Sequence, residues 1–224
     1  VNTALAEHPD LIADYKAHPP QTNEPGRQQP LELALRHAPP GKQVDLVELG
    51  CSAGLNLDIA QPADGPSIAS RTGCDLYPID ITAVEGRARL SSYVWVDHTD
   101  RFNRLGQRIQ SAVTNPPTVV RADAVEFVAS LAPRAGTTLL VWSSAFIPYL
   151  PDSQVRALAD AFDSLAHRLP HDATLIRAQY EDAGDSTDPT LAFALTLDVW
   201  TRSDGELTMT TRCIARGSSH GGNL

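Results

Sequence analysis

The stretch Val44 to Asn56, VDLVELGCSAGLN, is an apolar run that ends in an acid and a turn of small residues, Glu48-Leu49-Gly50-Cys51-Ser52-Ala53-Gly54. A buried strand that breaks into such a turn lets the backbone approach a ligand closely. A helix starting at the turn would offer unbonded N–H groups and a partial positive charge, which suit a carboxylate. Glu48, beside the turn, could face an ammonium group, and Asn56 closes the block. Asp75 lies 25 residues after Gly50, at the end of a second apolar run. An acid there can accept hydrogen bonds from both hydroxyls of a ribose, or stand solvated in a loop. Asp123 follows a third short strand and could accept from an adenine amino group. It could equally cap the helix from Ala124 onward, and the two roles are compatible.

A ligand with a carboxylate, an ammonium, a ribose and an adenine is S-adenosylmethionine (SAM). The expected cofactor-binding set is therefore Glu48, Gly50, Ser52, Gly54, Asn56, Asp75 and Asp123. Ser52 replaces the usual middle glycine of such a turn, which weakens the match, and a full G-x-G-x-x-G for a dinucleotide is absent. The same letters allow a rival. Gly50-Cys51-Ser52-Ala53-Gly54 is also G-x-S-x-G, the nucleophile elbow of a serine hydrolase, with His220 in the right order to act as base. Against it, only 43 residues precede Val44. They read as helical or irregular, and no HGGG-type oxyanion loop is among them. A third reading is a binding module without catalysis, because no catalytic base can be assigned.

Further candidates for substrate contacts or a lid flank this block. Ser143 and Tyr149 follow the fourth strand in WSSAFIPY, near the edge where an acceptor would meet a cofactor, and either could orient it; Trp142, Phe146 and Tyr149 also read as packing residues. The polar segment Gln21, Thr22, Asn23, Glu24 with Arg27 precedes the first strand and could fold over a ligand, or form a solvated turn. Asn115-Pro116-Pro117 precedes the third strand and reads as a helix-breaking loop. Seven histidines show no ligand spacing, and no metal is expected.

The elements that must position these residues follow from periodicity and punctuation. Residues 1 to 17 carry Leu5, Leu11, Ile12 and Tyr15 at helical spacing, and a helix is expected over roughly Gln29 to His37. Strands are expected at Val44–Leu49, in a short run into Cys74-Asp75, and at Thr118–Arg121, Thr138–Trp142 and Ala173–Tyr180. Helices fall at Gly54–Ile59, Ile81–Tyr93, Arg101–Val113, Ala124–Leu131 and Asp152–Leu169, the last capped by Asp152 or Ser153. Leu191–Trp200 and Glu206–Ala215 flank Arg202-Ser203-Asp204-Gly205 and form an antiparallel hairpin. Alternating strands and helices predict an α/β fold, with a mostly parallel Rossmann-like sheet of the class I methyltransferase type. Helices lie on both faces and the hairpin closes the sheet. The expected division is an N-terminal helical or lid segment over 1–40 and the α/β domain over 41–224.

The bulk properties bound the partners. The net charge is −9, so a phosphate backbone is repelled and a nucleic-acid acceptor is disfavoured. A small-molecule acceptor is expected. Three cysteines without C-x-x-C spacing fit a reducing cytoplasm. No apolar run reaches the roughly 20 residues of a membrane span. The only methionine is Met209, and the chain reads as trimmed or incomplete.

The blocks PPQTNEPGR (19–27), LVELGCSAGLNL (46–57), GCDLYPID (73–80), SYVWVDH (92–98), NPPTVVRADAVEF (115–127) and VWSSAFIPYLP (141–151) resemble the uncharacterised bacterial domain-of-unknown-function family 2332, frequent in actinobacteria. The resemblance runs from about residue 10 to the end. It implies a SAM-methyltransferase-type fold, with the glycine turn on Gly50, Ser52, Gly54 and Asn56 and the strand-end acids on Asp75 and Asp123. The polar block falls on Gln21, Thr22, Asn23, Glu24 and Arg27, and a C-terminal H-G block on His220-Gly221. Cys51, Pro25 and His98 depart from the usual residues. A longer N-terminal helical region and a longer insert before Asp75 are usual in the family and missing here.

Overall fold

The computed structural model describes residues 20–62, 65–203 and 205–221, with isolated positions 7, 9 and 13. The helical turns expected around Leu5, Leu11, Ile12 and Tyr15 lie outside the described residues. Seven strands form one sheet in the order β3-β2-β1-β4-β5-β6-β7. They are β1 Gln43–Leu49, β2 Ile68–Asp75, β3 Val119–Arg121, β4 Thr137–Ser144, β5 Thr174–Asp182, β6 Phe193–Ser203 and β7 Glu206–Gly217. The first five are parallel. β6 runs antiparallel to β5, and β7 antiparallel to β6. The helices are α1 Gln28–Leu35, α2 Val84–Ser92, α3 Thr99–Thr114, α4 Ala124–Ser130 and α5 Asp152–His167.

The sheet is covered on both faces, which is why its central strands read as continuous apolar runs. Neighbours in a strand point to opposite faces. Leu46, Leu140 and Trp142 thus join Leu31, Ala34 and Leu35 of α1 in one cluster. Val47, Leu139 and Val141 join Val128 of α4 and Leu158, Phe162 and Leu165 of α5 in another. A third cluster sets α2 and α3 against Ala53, Leu55, Ile79 and Ile81, beside the glycine turn. The upstream stretch expected as a helical or lid segment is thus, in α1, part of the core, with Leu31, Ala34 and Leu35 fully buried.

Three local expectations are corrected. The helix expected over Gly54–Ile59 is a single 3-10 turn, Leu55–Leu57, entered through Gly54 in the left-handed conformation. Its three residues are buried, and the N–H and carbonyl of Leu55 are taken by Asn23 and Gln28, so it does not propagate. The second strand begins at Ile68, because Pro62 and Gly65 break only the approach to it. The start of α5 has no side-chain cap: Pro151 is the N-cap, and its carbonyl accepts from Gln154 and Val155. Among the described residues no helix is long and apolar enough to cross a membrane.

Candidate functional site

A cleft of about 220 Å³ opens at the carboxyl ends of β1 to β4. The strand order reverses between β1 and β4, and such a switch point is where open α/β sheets hold ligands. Gly50, Ser52, Asn56, Asp75 and Asp123 all line the cleft, together with Glu48 below the turn. Gly50 has φ +62°, and a β-carbon there would lie 2.4 Å from the Phe146 ring, so the turn and the post-β4 loop are in contact. Gly54, at φ +72°, is pressed against Val119 and Pro117. Asn115-Pro116-Pro117 thus supports the turn from outside.

Most of the amides expected to cradle a carboxylate are already bonded. Ser52 N–H donates to Asp75 Oδ2 at 2.8 Å and Leu55 N–H to Asn23 Oδ1 at 3.1 Å. Cys51, Gly54 and Leu57 donate to the carbonyls of Cys74, Cys51 and Gly54. The short 3-10 turn also carries far less dipole than a full helix. Five amides of the turn are therefore taken up within the protein, which leaves few of the free N–H groups expected to meet a carboxylate.

At the base of the cleft, Glu48 is buried and Asn56 Nδ2 donates to its Oε1 at 2.9 Å. Glu48 Oε2 and Asn56 Oδ1 are buried with no partner. Burial pushes the Glu48 carboxyl up to about 8, against the hydrogen bond from Asn56 and the more distant charge of Arg27. Two neighbouring acceptors without donors are costly unless a cation or donor group meets them.

Asp75 is nearly buried at the end of β2. Its Oδ1 accepts from Tyr77 N–H at 2.8 Å and from Gln21 Nε2 at 3.2 Å. A carboxylate has about four acceptor sites, so room for a further donor is left. Asp123 caps α4, with Oδ1 accepting from Val125 N–H at 2.8 Å and Glu126 N–H at 3.3 Å, and its Oδ2 accepts from Gln154 at 3.4 Å.

The upstream polar segment forms one wall. Gln21, Thr22, Asn23 and Arg27 line the cleft. Gln21 also accepts from Ser52 Oγ at 3.3 Å. Glu24 stands behind this wall, its carboxylate paired with Arg101 of α3 at 2.7 Å. Tyr149 lines the mouth and is 59% exposed. Ser143 does not line the cleft; it is buried and its hydroxyl donates to Glu181, and its neighbour Ser144 takes the lining place. His220 also lies off the cleft, 3.7 Å from Glu24 Oε2. Among the described residues Ser52 Oγ is bonded to Gln21 and not to a histidine, so the elbow reading lacks its base. Asn23, Ser52 and Ala145 adopt positive φ of 37°, 55° and 46°. All three line the cleft, a concentration of backbone strain where functional loops carry it.

The family model described as an uncharacterised protein conserved in bacteria, domain of unknown function 2332, matches residues 1–63 and 58–222. The chain belongs to this family. No curated protein sequence matches it significantly. Among solved structures, the sugar N-methyltransferase KedS8 from a Streptoalloteichus species is 14% identical, covering 93% of this chain and 77% of that one, with a TM-score of 0.36. The glycopeptide N-methyltransferase MtfA, complexed with S-adenosyl-L-homocysteine (SAH), is 15% identical over 84% and 60% of the two chains, with a TM-score of 0.37. CalS10, a SAM-bound amino pentose methyltransferase from Micromonospora echinaspora, is 12% identical over 85% and 75%, with a TM-score of 0.36. Likenesses this distant carry no weight of their own, and the residues of the cleft decide.

In this family member the sequence reading passed over Glu181 and Gln154. Glu181 is the last residue but one of β5, and both its carboxylate oxygens accept from Phe146 N–H at 3.1 Å. Burial pushes its carboxyl up to about 7. It fixes the strained Ala145–Phe146 step that stands on Gly50. A strand-end glutamate carries no local signal of this, because the partner comes from a different βα loop.

Proposed function

We propose that the chain binds SAM in this cleft and transfers its methyl group to a small molecule. The observation that carries the reading is the pair Glu48 Oε2 and Asn56 Oδ1, buried and without donors at the base of the cleft. An α-ammonium supplies donors to both oxygens and the positive charge that lets Glu48 ionise. Asp75 has acceptor capacity for one ribose hydroxyl. Asp123, with Leu76, Ala122, Ala124 and Leu150 lining the same cleft, offers an acceptor and apolar walls to an adenine. The chemistry the cofactor supplies when bound is an activated methyl on a sulfonium. The protein's part is to hold the acceptor in line and exclude water, since positioning accounts for much of the rate. Phe146 and Tyr149 line the cleft just beyond the end of β4, where an acceptor would sit. The acidic surface supports a small molecule over a nucleic acid as acceptor.

The test is calorimetric titration of SAM and SAH into wild type and Glu48→Gln, with melting curves to establish that both are folded. Micromolar binding by wild type and a loss of about tenfold or more in the variant are expected. Folded wild-type protein that takes up neither ligand would remove the cofactor assignment. Binding without any release of SAH across a panel of small amines, alcohols and carboxylic acids would favour the non-catalytic module.

A further inference from the structure

A zwitterionic amino-acid group has a second pole, and the glycine turn has few free amides to offer it. The amides of Cys51, Ser52, Gly54, Leu55 and Leu57 are bonded to protein oxygens. The other helix start at the cleft, that of α4, is capped by Asp123, itself an acid. A carboxylate bound in this cleft must find a different donor.

Arg27 is the only lysine or arginine among the described lining residues. Its Nε donates to Ser219 O at 3.1 Å and its Nη1 to Ser144 O at 3.3 Å. Among the described residues no carboxylate lies within ion-pair distance of it. Three acids are close enough for their charge to act on it, Glu24, Glu181 and Glu48, and each is engaged elsewhere. Glu24 meets Arg101, Glu181 meets Phe146 N–H, and Glu48 holds Asn56. Arg27 is thus a half-buried guanidinium held in place by two backbone carbonyls and, among the described residues, left without a direct counter-ion. Burial lowers its pKa, as expected for a cation in that position. A guanidinium fork held on one side and open to a cleft is suited to a carboxylate, which it can bind through two parallel bonds.

We propose that Arg27 binds the carboxylate of the cofactor's amino-acid end, opposite the ammonium pole formed by Glu48 and Asn56. The inference rests on the SAM reading of the cleft. It assigns recognition of the amino-acid end to the segment upstream of β1, and it makes α-amino acids, not amines alone, the group the cleft selects.

The experiment compares three ligands by calorimetry: SAH, its decarboxylated counterpart, and 5′-methylthioadenosine, which lacks the amino-acid end. Wild type is expected to prefer SAH over the decarboxylated ligand by about tenfold or more. Arg27→Gln is expected to lose that preference, beyond any loss common to all three ligands from breaking its bonds to Ser219 and Ser144. Arg27→Lys should keep part of it. Equal affinity of wild type for SAH and the decarboxylated ligand overturns the inference and leaves the SAM reading standing, and this comparison needs no variant to fold. An Arg27→Gln variant that weakens all three ligands equally also overturns it. Failure of all three ligands to bind folded wild type removes the SAM reading and the inference together.

Discussion

Gly26 and Gly221 interlock backbone to backbone, although nearly the whole chain separates them. A β-carbon on Gly221 would lie 2.0 Å from the Gly26 carbonyl oxygen, and one on Gly26 would lie 1.9 Å from the carbonyl oxygen of His220. The clasp is reinforced by Arg27 Nε on Ser219 O, and by Tyr180 Oη donating to Ser218 O at 2.6 Å. It holds the wall that carries Gln21, Asn23 and Arg27. Gly26→Ala must push two backbone segments apart, which cannot be relieved by a side-chain rotation. A loss of about 2 kcal/mol in stability is expected, with faster amide exchange at Ser218–Gly221 and weaker SAH binding. Urea unfolding and hydrogen exchange check it; an unchanged midpoint would show that the clasp does not hold the wall.

The Glu24–Arg101 pair joins that wall to α3, with side chains 3% and 13% exposed. Removing one partner of a buried pair leaves an uncompensated charge. Arg101→Ala is expected to cost about 3 kcal/mol. Glu24→Gln with Arg101→Ala should cost less than the single change, because no charge is stranded. Denaturant titration of the two variants decides between a pair that matters by its charge and one that matters only by packing.

Glu48 makes the stability of the ligand-free protein depend on pH. Its carboxyl sits at about 8 in the fold, raised by burial, against an ordinary value of 4.5. Between those values the folded state keeps a proton that the unfolded chain releases, so stability falls as pH rises from about 4.5 through about 8. Glu48→Gln should therefore be near neutral at pH 5 and stabilising at pH 8, by an amount on the order of a few kcal/mol. Glu181, raised to about 7, contributes a slope of the same sign that persists in the variant below pH 7. SAH binding should strengthen between pH 6 and 8 with release of a proton, since the ammonium favours ionised Glu48. Calorimetry in buffers of different ionisation enthalpy measures that proton; its absence would mean Glu48 does not meet the ligand's charge.

Much of this was legible in the sequence where burial and local turn chemistry coincide. Val44–Leu49 carries apolar residues on both faces because both faces of its strand are covered, and the following glycines are required by positive φ and by contact with Phe146 and Val119. Asp123 announced itself as a cap because its partners lie two and three residues on. The parts that were not legible depend on distant segments. Arg27 and Ser219 are 192 residues apart, and Glu181 owes its burial to a loop 35 residues earlier. The first half of β2 reads as polar because Ala69 and Ser70 are exposed. The missing helix after Gly54 is a matter of local competition. Asn23 takes the Leu55 amide and Gln28 donates to the Leu55 carbonyl at 3.2 Å, so tertiary bonds hold the chain in a single turn.

Ser52 stands at φ 55°, in the region that favours glycine, at the position where the middle glycine of the turn is usual. Ser52→Gly removes the left-handed strain and also the hydroxyl that donates to Gln21. The strain relief is about 1 kcal/mol, and the lost hydrogen bond, part-buried and 3.3 Å long, is worth about 0.5 kcal/mol. A net gain in stability of a few tenths of a kcal/mol is therefore expected, with SAH affinity retained, because the Ser52 amide still meets Asp75. A catalytic serine predicts the opposite. Fluorophosphonate labelling of wild type that vanishes in Ser52→Gly, together with hydrolase activity, would restore the nucleophile-elbow reading; an unlabelled wild type and a functional glycine variant place Ser52 in the turn as a structural substitute for glycine.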